Sequence, residues 1–292
     1  MGQPDQPPFI IILGTAQDGG YPHAGCSKEC CAKYYSGEEK RHYVSCLALV
    51  DPVTNQRWFF DCTPDFTFQL HALDAIHLTG AGSITGIFLT HAHTGHYTGL
   101  INLGREAMNS RNIPVYAMPR MRHFLLNNGP WDSLVKLKNI ELRDLANDAP
   151  VQLNERISVT PFLVPHRDEY SETVGFRIST QNRSVIFIPD IDKWENWDCD
   201  IAHVVQQNDL LFIDGTFFKD GELPGVKMNQ APHPFIEETM RILSHLPEAD
   251  KQKVHFTHLN HTNPALTRQP AAFCEIEALH FRVAEEMQQF AL

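Results

Sequence analysis

The segment Thr90-His91-Ala92-His93-Thr94-Gly95-His96 places three imidazoles within six residues. Imidazole ligates zinc, iron, copper or nickel, and it also exchanges protons near neutral pH. Three further segments each end an apolar run in a side chain of similar use: Val164-Pro165-His166, Ile186-Phe187-Ile188-Pro189-Asp190 and Phe256-Thr257-His258. Taken singly, each is more often a core or surface residue, and a histidine-rich turn is often a solvated loop. Taken together, they describe a metal site built from strand ends, with His91, His93, His96, His166, Asp190 and His258 as its ligands.

A second group is Gly25-Cys26-Ser27-Lys28-Glu29-Cys30-Cys31, on the long loop after the first strand. Three thiolates and one imidazole make a closed, structural zinc site. The local spacing of Cys26, Cys30 and Cys31 is equally that of free buried thiols. Cys46, Cys62, Cys199 and Cys274 read as small core residues. Asp18, in the Gly14–Gly20 loop, reads as a turn residue. His233, in Ala231-Pro232-His233-Pro234, reads as a proton shuttle beside the metals or as a solvated loop residue.

The elements that must position these groups alternate along the whole chain. Strands are expected at Phe9–Leu13, Ser45–Val50, Arg57–Asp61, Ile84–Thr90, Val115–Ala117, Ile157–Val164, Thr173–Ser179, Val185–Ile188, Leu210–Asp214 and Val254–Thr257. Helices are expected at Pro64–His77, Gly99–Met108, Arg120–Asn127, Phe235–Leu246 and Glu275–Gln289. Strands with helices interspersed in both halves suggest two sheets between helical layers, in one domain over residues 1–292.

The 24 Lys and Arg stand against 35 Asp and Glu, a formal charge of −11 that disfavours a nucleic-acid partner. No apolar run reaches the ~18 residues of a membrane span. Met1-Gly2-Gln3-Pro4-Asp5 lacks the basic and apolar regions of a secretory signal. Seven cysteines, an odd number, favour reduced thiols or metal ligands over a disulfide framework. These features point to a cytoplasmic protein acting on a small molecule, with its oligomeric state open.

The order His-x-His-x-x-His, a lone His, an Asp after an apolar strand and a late His resembles the metallo-β-lactamase superfamily. The resemblance implies an αββα sandwich with two metal positions between the sheets. It puts His91, His93 and His166 on the first metal, His96 and His258 on the second, and Asp190 between them. Leu13-Gly14-Thr15-Ala16, Phe212-Ile213-Asp214-Gly215-Thr216 and His258-Leu259-Asn260-His261-Thr262-Asn263-Pro264 are similar to the branch that holds PqqB and the phosphonate-pathway cyclic phosphodiesterase. In that phosphodiesterase branch a cysteine triplet pairs with a histidine three residues after the last active-site histidine. This implies a structural zinc on Cys26, Cys30, Cys31 and His261, although the middle cysteine here is displaced towards Cys31.

One departure stands at Gly95, where the superfamily carries Asp. PqqB tends to lose the first two histidines and keep that Asp, the reverse of this chain. The departure implies a second metal position that is weak or empty, to be strengthened by Gly95→Asp, unless Asp18 supplies a ligand or proton acceptor in its place. The resemblance implies a hydrolase of a small phosphodiester or ester, with one or two active-site zinc ions, or iron or manganese. Asp190 would then orient the attacking water. Two alternatives stay open. One is a mononuclear iron oxygenase on His91, His166 and Asp190, acting in pyrroloquinoline quinone biosynthesis. The other is a non-catalytic metal-binding carrier.

Overall fold

The computed structural model describes residues 6–292 except 78–81, 224, 226 and 229–231, so the Met1–Asp5 segment and Ala231 lie outside the described residues. Long apolar runs make the strands. The first sheet is built from β1 (Phe9–Gly14), β2 (Cys46–Asp51), β3 (Gln56–Phe60), β4 (Gly86–Phe88), β5 (Ile113–Ala117) and β6 (Ile140–Asp144). The second is built from β7 (Val151–Gln152), β8 (Ser158–Leu163), β9 (Val174–Ser179), β10 (Ser184–Ile188), β11 (Leu210–Asp214), β12 (Val254–Thr257) and β13 (Arg282–Val283). The last strand, β14 (Gln289–Ala291), returns to the edge of the first sheet beside β1, giving the orders β14-β1-β2-β3-β4-β5-β6 and β13-β12-β11-β10-β9-β8-β7.

Side-chain alternation sorts the core into layers. Ile10, Leu47, Phe60 and Phe88 of the first sheet pack against Phe176, Phe187 and Phe212 of the second. The opposite face of the first sheet, with Ile11, Phe59 and Ile87, is covered by Phe66, Leu70 and Leu73 of helix α2 (Phe66–Ile76). The outer face of the second, with Ile186, Leu211 and Phe256, is covered by α6 (Ile201–Gln207), α7 (Ile236–Ile242) and α9 (Pro270–Ala278). The chain is an αββα sandwich.

Strand direction then gathers the chemistry. β1 and β3 both run antiparallel to β2, and β4 runs parallel to β3. β8 and β10 both run antiparallel to β9, and β11 and β12 run parallel to β10. Within each sheet these strands therefore end on the same side, where open α/β sheets place ligands.

Two expected helices differ. Gly99–Met108 is a 3-10 helix over Thr98–Leu103 followed by turns, and Gly99 packs so closely that a Cβ there would lie 2.1 Å from the Thr63 carbonyl oxygen. Glu275–Gln289 is not one helix. α9 stops at Ala278, His280 takes φ 68°, and the buried Phe281 and Val283 belong to or flank β13, which pairs with β12. Strand pairing at the sheet edge overrode the helical spacing there. Of the four cysteines read as core, Cys46 and Cys62 are buried, whereas Cys199 and Cys274 are exposed.

Candidate metal centre

β4 runs into His91 and His93, and the short helix α3 (Thr94–Tyr97) turns His96 back towards them. His166 follows β8, Asp190 follows β10 and His258 follows β12. With Asp18, their donor atoms form two sets that share Asp190, namely His91, His93, His166 and Asp190, and Asp18, His96, Asp190 and His258. A third set of Asp190, Asp214, His233 and His258 adjoins them, and all donors of a set lie within 4.8 Å of one another.

The spacing suits a cation. His93 Nδ1 lies 3.3 Å from His166 Nε2, and His91 Nε2 lies 3.3 Å from Asp190 Oδ2. Tetrahedral zinc with bonds of ~2.0–2.1 Å separates its ligand atoms by about 3.3 Å. His91 Nε2 and Asp190 Oδ1 are buried and have no well-formed hydrogen bond, which is costly for polar atoms unless something else satisfies them. The residues fit a metal ion.

Electrostatics supports the same reading. Burial, reinforced by His96, holds the His91 pKa well below its ordinary value, so its ring is neutral and offers a lone pair. Burial pushes the Asp190 carboxyl up, but His166, His233 and His258 outweigh it and keep Asp190 ionised. Burial also opposes charge on His96, yet Asp61 and Asp18 overcome it and raise its pKa well above the usual imidazole range. A cation entering here would displace such protons.

Partners outside the donor sets fix the rings. His96 Nδ1 lies 2.7 Å from Asp61 Oδ2, and the Thr90 hydroxyl donates to the same carboxylate while standing 3.0 Å from His91 Nδ1. Thr216 Oγ1 lies 2.9 Å from His258 Nδ1. Asp61 and His258 both take left-handed backbone, with φ of 68° and 60°, a conformation that concentrates at functional sites. The sequence reading missed Asp61 and gave Asp214 and Thr216, both within the Phe212–Thr216 motif, no role. Yet Asp61 follows the apolar β3 and Asp214 ends β11, the same strand-end signal that marked Asp190.

His233 is a buried residue rather than part of a solvated loop: its Nδ1 lies 2.8 Å from Asp214 Oδ2 and 3.3 Å from Asp190 Oδ1. Burial disfavours its charge, but Asp214 and Asp190 prevail and raise its pKa to about 9. Asp18 is not an ordinary turn residue either. Its Oδ1 lies 2.9 Å from His96 Nε2 and 3.2 Å from His258 Nε2. A cleft lined by Gly19, Tyr21, Tyr34, Arg41 and Asp65 opens beside it.

The cysteine loop reaches the end of the second sheet. Cys26, Cys30, Cys31 and His261 bring their donor atoms within 4.8 Å of one another. Cys26 Sγ and Cys30 Sγ are 3.7 Å apart, against about 3.8 Å for two thiolates on tetrahedral zinc with Zn–S bonds of ~2.3 Å. Burial lifts the Cys31 thiol to about 12 and depresses His261 to about 4, with His23 and Lys28 adding to the latter. Burial also raises Cys30, whereas at Cys26 burial is outweighed by hydrogen bonds from the Lys28 backbone and the neighbouring thiols, which lower it. Three thiols beside one neutral imidazole are the donor set of a closed zinc site.

The family model described as "Beta-lactamase superfamily domain" matches residues 56–258. The chain belongs to that superfamily, with the metallo-β-lactamase fold, and is PqqB-like. It is 25% identical to coenzyme PQQ synthesis protein B of Xanthomonas axonopodis pv. citri, over 97% of this chain and 99% of that protein. It is 27% identical to the protein of that name from Acinetobacter baylyi, over 94% and 97%. Among solved structures, Zn(2+)-bound PqqB from Methylobacterium extorquens aligns with a TM-score of 0.81 at 23% identity, covering 97% of this chain and all of that one. A diphosphatase from the PhnP family aligns at 0.64 and 20% identity, covering 98% and 97%. Among the described residues, no helix is long and apolar enough to cross a membrane.

Proposed function

We propose that the protein is a metal-dependent hydrolase of a small phosphodiester or ester-like molecule. One observation carries this reading: two donor sets of imidazole and carboxylate share Asp190 and lie side by side at the strand ends. A metal bound there supplies Lewis acidity and lowers the pKa of a coordinated water towards about 7. His91, His93 and His166 would hold one ion, and His96 and His258 would serve the other. Asp190, facing both sets, orients the attacking water and keeps its own charge through the surrounding imidazoles. His233, held by Asp214 and next to Asp190, would give a proton to the departing oxygen. The paired sets, the second of which holds another carboxylate, favour hydrolysis over a single-iron oxygenase site with two histidines and one carboxylate.

The test uses protein stripped with chelator and reloaded with zinc or manganese. Turnover of bis-(p-nitrophenyl) phosphate or p-nitrophenyl acetate that returns with metal, and is lost in His166→Ala, is the expected result. Fully loaded protein that cleaves neither the diester nor the carboxylic ester would refute the reading.

A second reading rests on the names of the relatives, which span nearly the whole chain: a role in coenzyme PQQ synthesis. Restoration of PQQ production in a bacterium lacking its own synthesis protein B would support it, and failure of the well-expressed chain to restore any would count against it.

A further inference from the structure

Gly95 stands where a ligand carboxylate is expected, and the space its side chain would enter is already filled. A Cβ built on Gly95 would lie 2.6 Å from Asp18 Cα, 2.6 Å from Asp18 Oδ1 and 2.9 Å from Asp18 Cβ. Real Cβ atoms do not come so close to a backbone atom, so residues larger than glycine at 95 and the present path of the Asp18 loop exclude each other. Covalent geometry separates the Cβ of an aspartate from its own carboxylate oxygens by about 2.4 Å. Asp18 Oδ1 therefore sits close to where an oxygen of an aspartate at 95 could stand. That one oxygen faces two imidazole nitrogens, His96 Nε2 at 2.9 Å and His258 Nε2 at 3.2 Å.

The placement is built into the backbone. Thr15 accepts a hydrogen bond from Leu259 N at 2.8 Å, and Gln17 N donates back to Leu259 O at 2.9 Å. Ala16 is bridged to both Val44 and Leu259. The loop carrying Asp18 is thus stitched to the segment that carries His258, and the two side chains are set by the same pairing. On the far side, Asp190 Oδ2 lies 3.8 Å from His96 Nε2 and 3.9 Å from His258 Nε2, which completes the set.

We propose that Asp18 supplies the terminal carboxylate of the second metal position, together with His96, His258 and the shared Asp190, and that position 95 is glycine to admit it. The carboxylate has moved from the turn after β4 to the loop after β1 while its oxygen keeps its place. The proposal rests on reading the centre as a metal site, not on the reaction that site performs. It replaces the expectation that Gly95→Asp strengthens the second position, since in the native chain the added side chain meets Asp18.

The experiment reads metal, not turnover. Stripped wild-type protein, Asp18→Ala, Asp18→Asn, Gly95→Asp and the exchange Asp18→Gly with Gly95→Asp are titrated with cobalt(II) and zinc, with elemental analysis of bound metal and melting temperature as a check on folding. The readout is the difference from wild type, so any zinc on the cysteine loop cancels. Wild type is expected to fill both positions. Asp18→Ala and Asp18→Asn should keep the first ion and bind the second at least tenfold more weakly, with a changed cobalt spectrum. Gly95→Asp alone should weaken the second ion, and the exchange should regain most of the loss. Unchanged affinity for two ions in both folded Asp18 variants would overturn the proposal. Wild type that takes up no metal beyond the cysteine loop would overturn the metal reading together with it, and a loaded but inactive wild type would count against hydrolysis alone.

Discussion

Asp61 and His96 are both buried, and Asp61 Oδ2 lies 2.7 Å from His96 Nδ1, which fixes the face that Nε2 turns towards the metal centre. A carboxylate behind a ligating histidine sets its tautomer and strengthens it as a donor. Asp61 also receives the Thr90 hydroxyl and backbone N–H, so one side chain organises the start of the histidine segment.

Asp61→Asn keeps the shape but removes the charge behind His96. Metal affinity at the position His96 serves should fall by about 10- to 100-fold. Competition titration against a chelating dye measures it, and equal affinity in wild type and variant would show that Asp61 is only a fold-stabilising residue.

His93→Ala should remove most of one metal equivalent, because His93 Nδ1 and His166 Nε2 face each other at 3.3 Å in the first donor set. Elemental analysis of purified protein gives the answer. Unchanged stoichiometry would remove His93 from the ligand set.

The cysteine loop should behave as a zinc clip between the first strand's loop and the segment after β12. Chelation should lower the melting temperature, since a structural metal contributes directly to folding free energy. Cys26→Ser and His261→Ala should each lose one tightly held zinc and spare the ion at His91 and His93. Their double variant should cost little beyond either change, because both disable one site. Fully additive destabilisation would mean that the two residues act separately.

His255 offers a pH test away from the metals. Its ring is buried in β12 beside Phe212 and Phe290, and burial holds its pKa down at about 4. The unfolded chain takes up a proton near pH 6.5 and the folded chain does not. The stability from the neutral ring is therefore complete above about pH 6.5 and is lost as pH falls towards 4, by up to about 3 kcal/mol. Urea melts should show wild type losing stability relative to His255→Leu as pH falls from 7 to 4.5. A constant gap between them would show that His255 does not titrate in this way.

The candidate ligands were legible in the chain because strand ends leave a local mark: an apolar run followed by a side chain with a lone pair. His91, His166, Asp190 and His258 carry that mark, and the alternation of the runs suggested two sheets between helical layers. Asp61 and Asp214 carry it too, but nothing local distinguishes a carboxylate that touches the centre from one that braces a histidine behind it. That depends on where neighbouring strands stop.

The C-terminal strands were hidden for a related reason. The helical spacing of Glu275–Gln289 runs past the end of the last helix, and pairing with the edges of β12 and β1 draws the following chain into β13 and β14. At Gly95 the sequence showed a missing side chain and offered Asp18 as one replacement, without showing that the two positions meet. Whether the loss left a vacancy was decided by contacts between segments far apart in the chain. Backbone pairing of Thr15 and Gln17 with Leu259 brings the Asp18 carboxylate into the space beside Gly95. A sequence lists which donors exist, but steric exclusion and hydrogen-bond register between distant segments decide which of them meet.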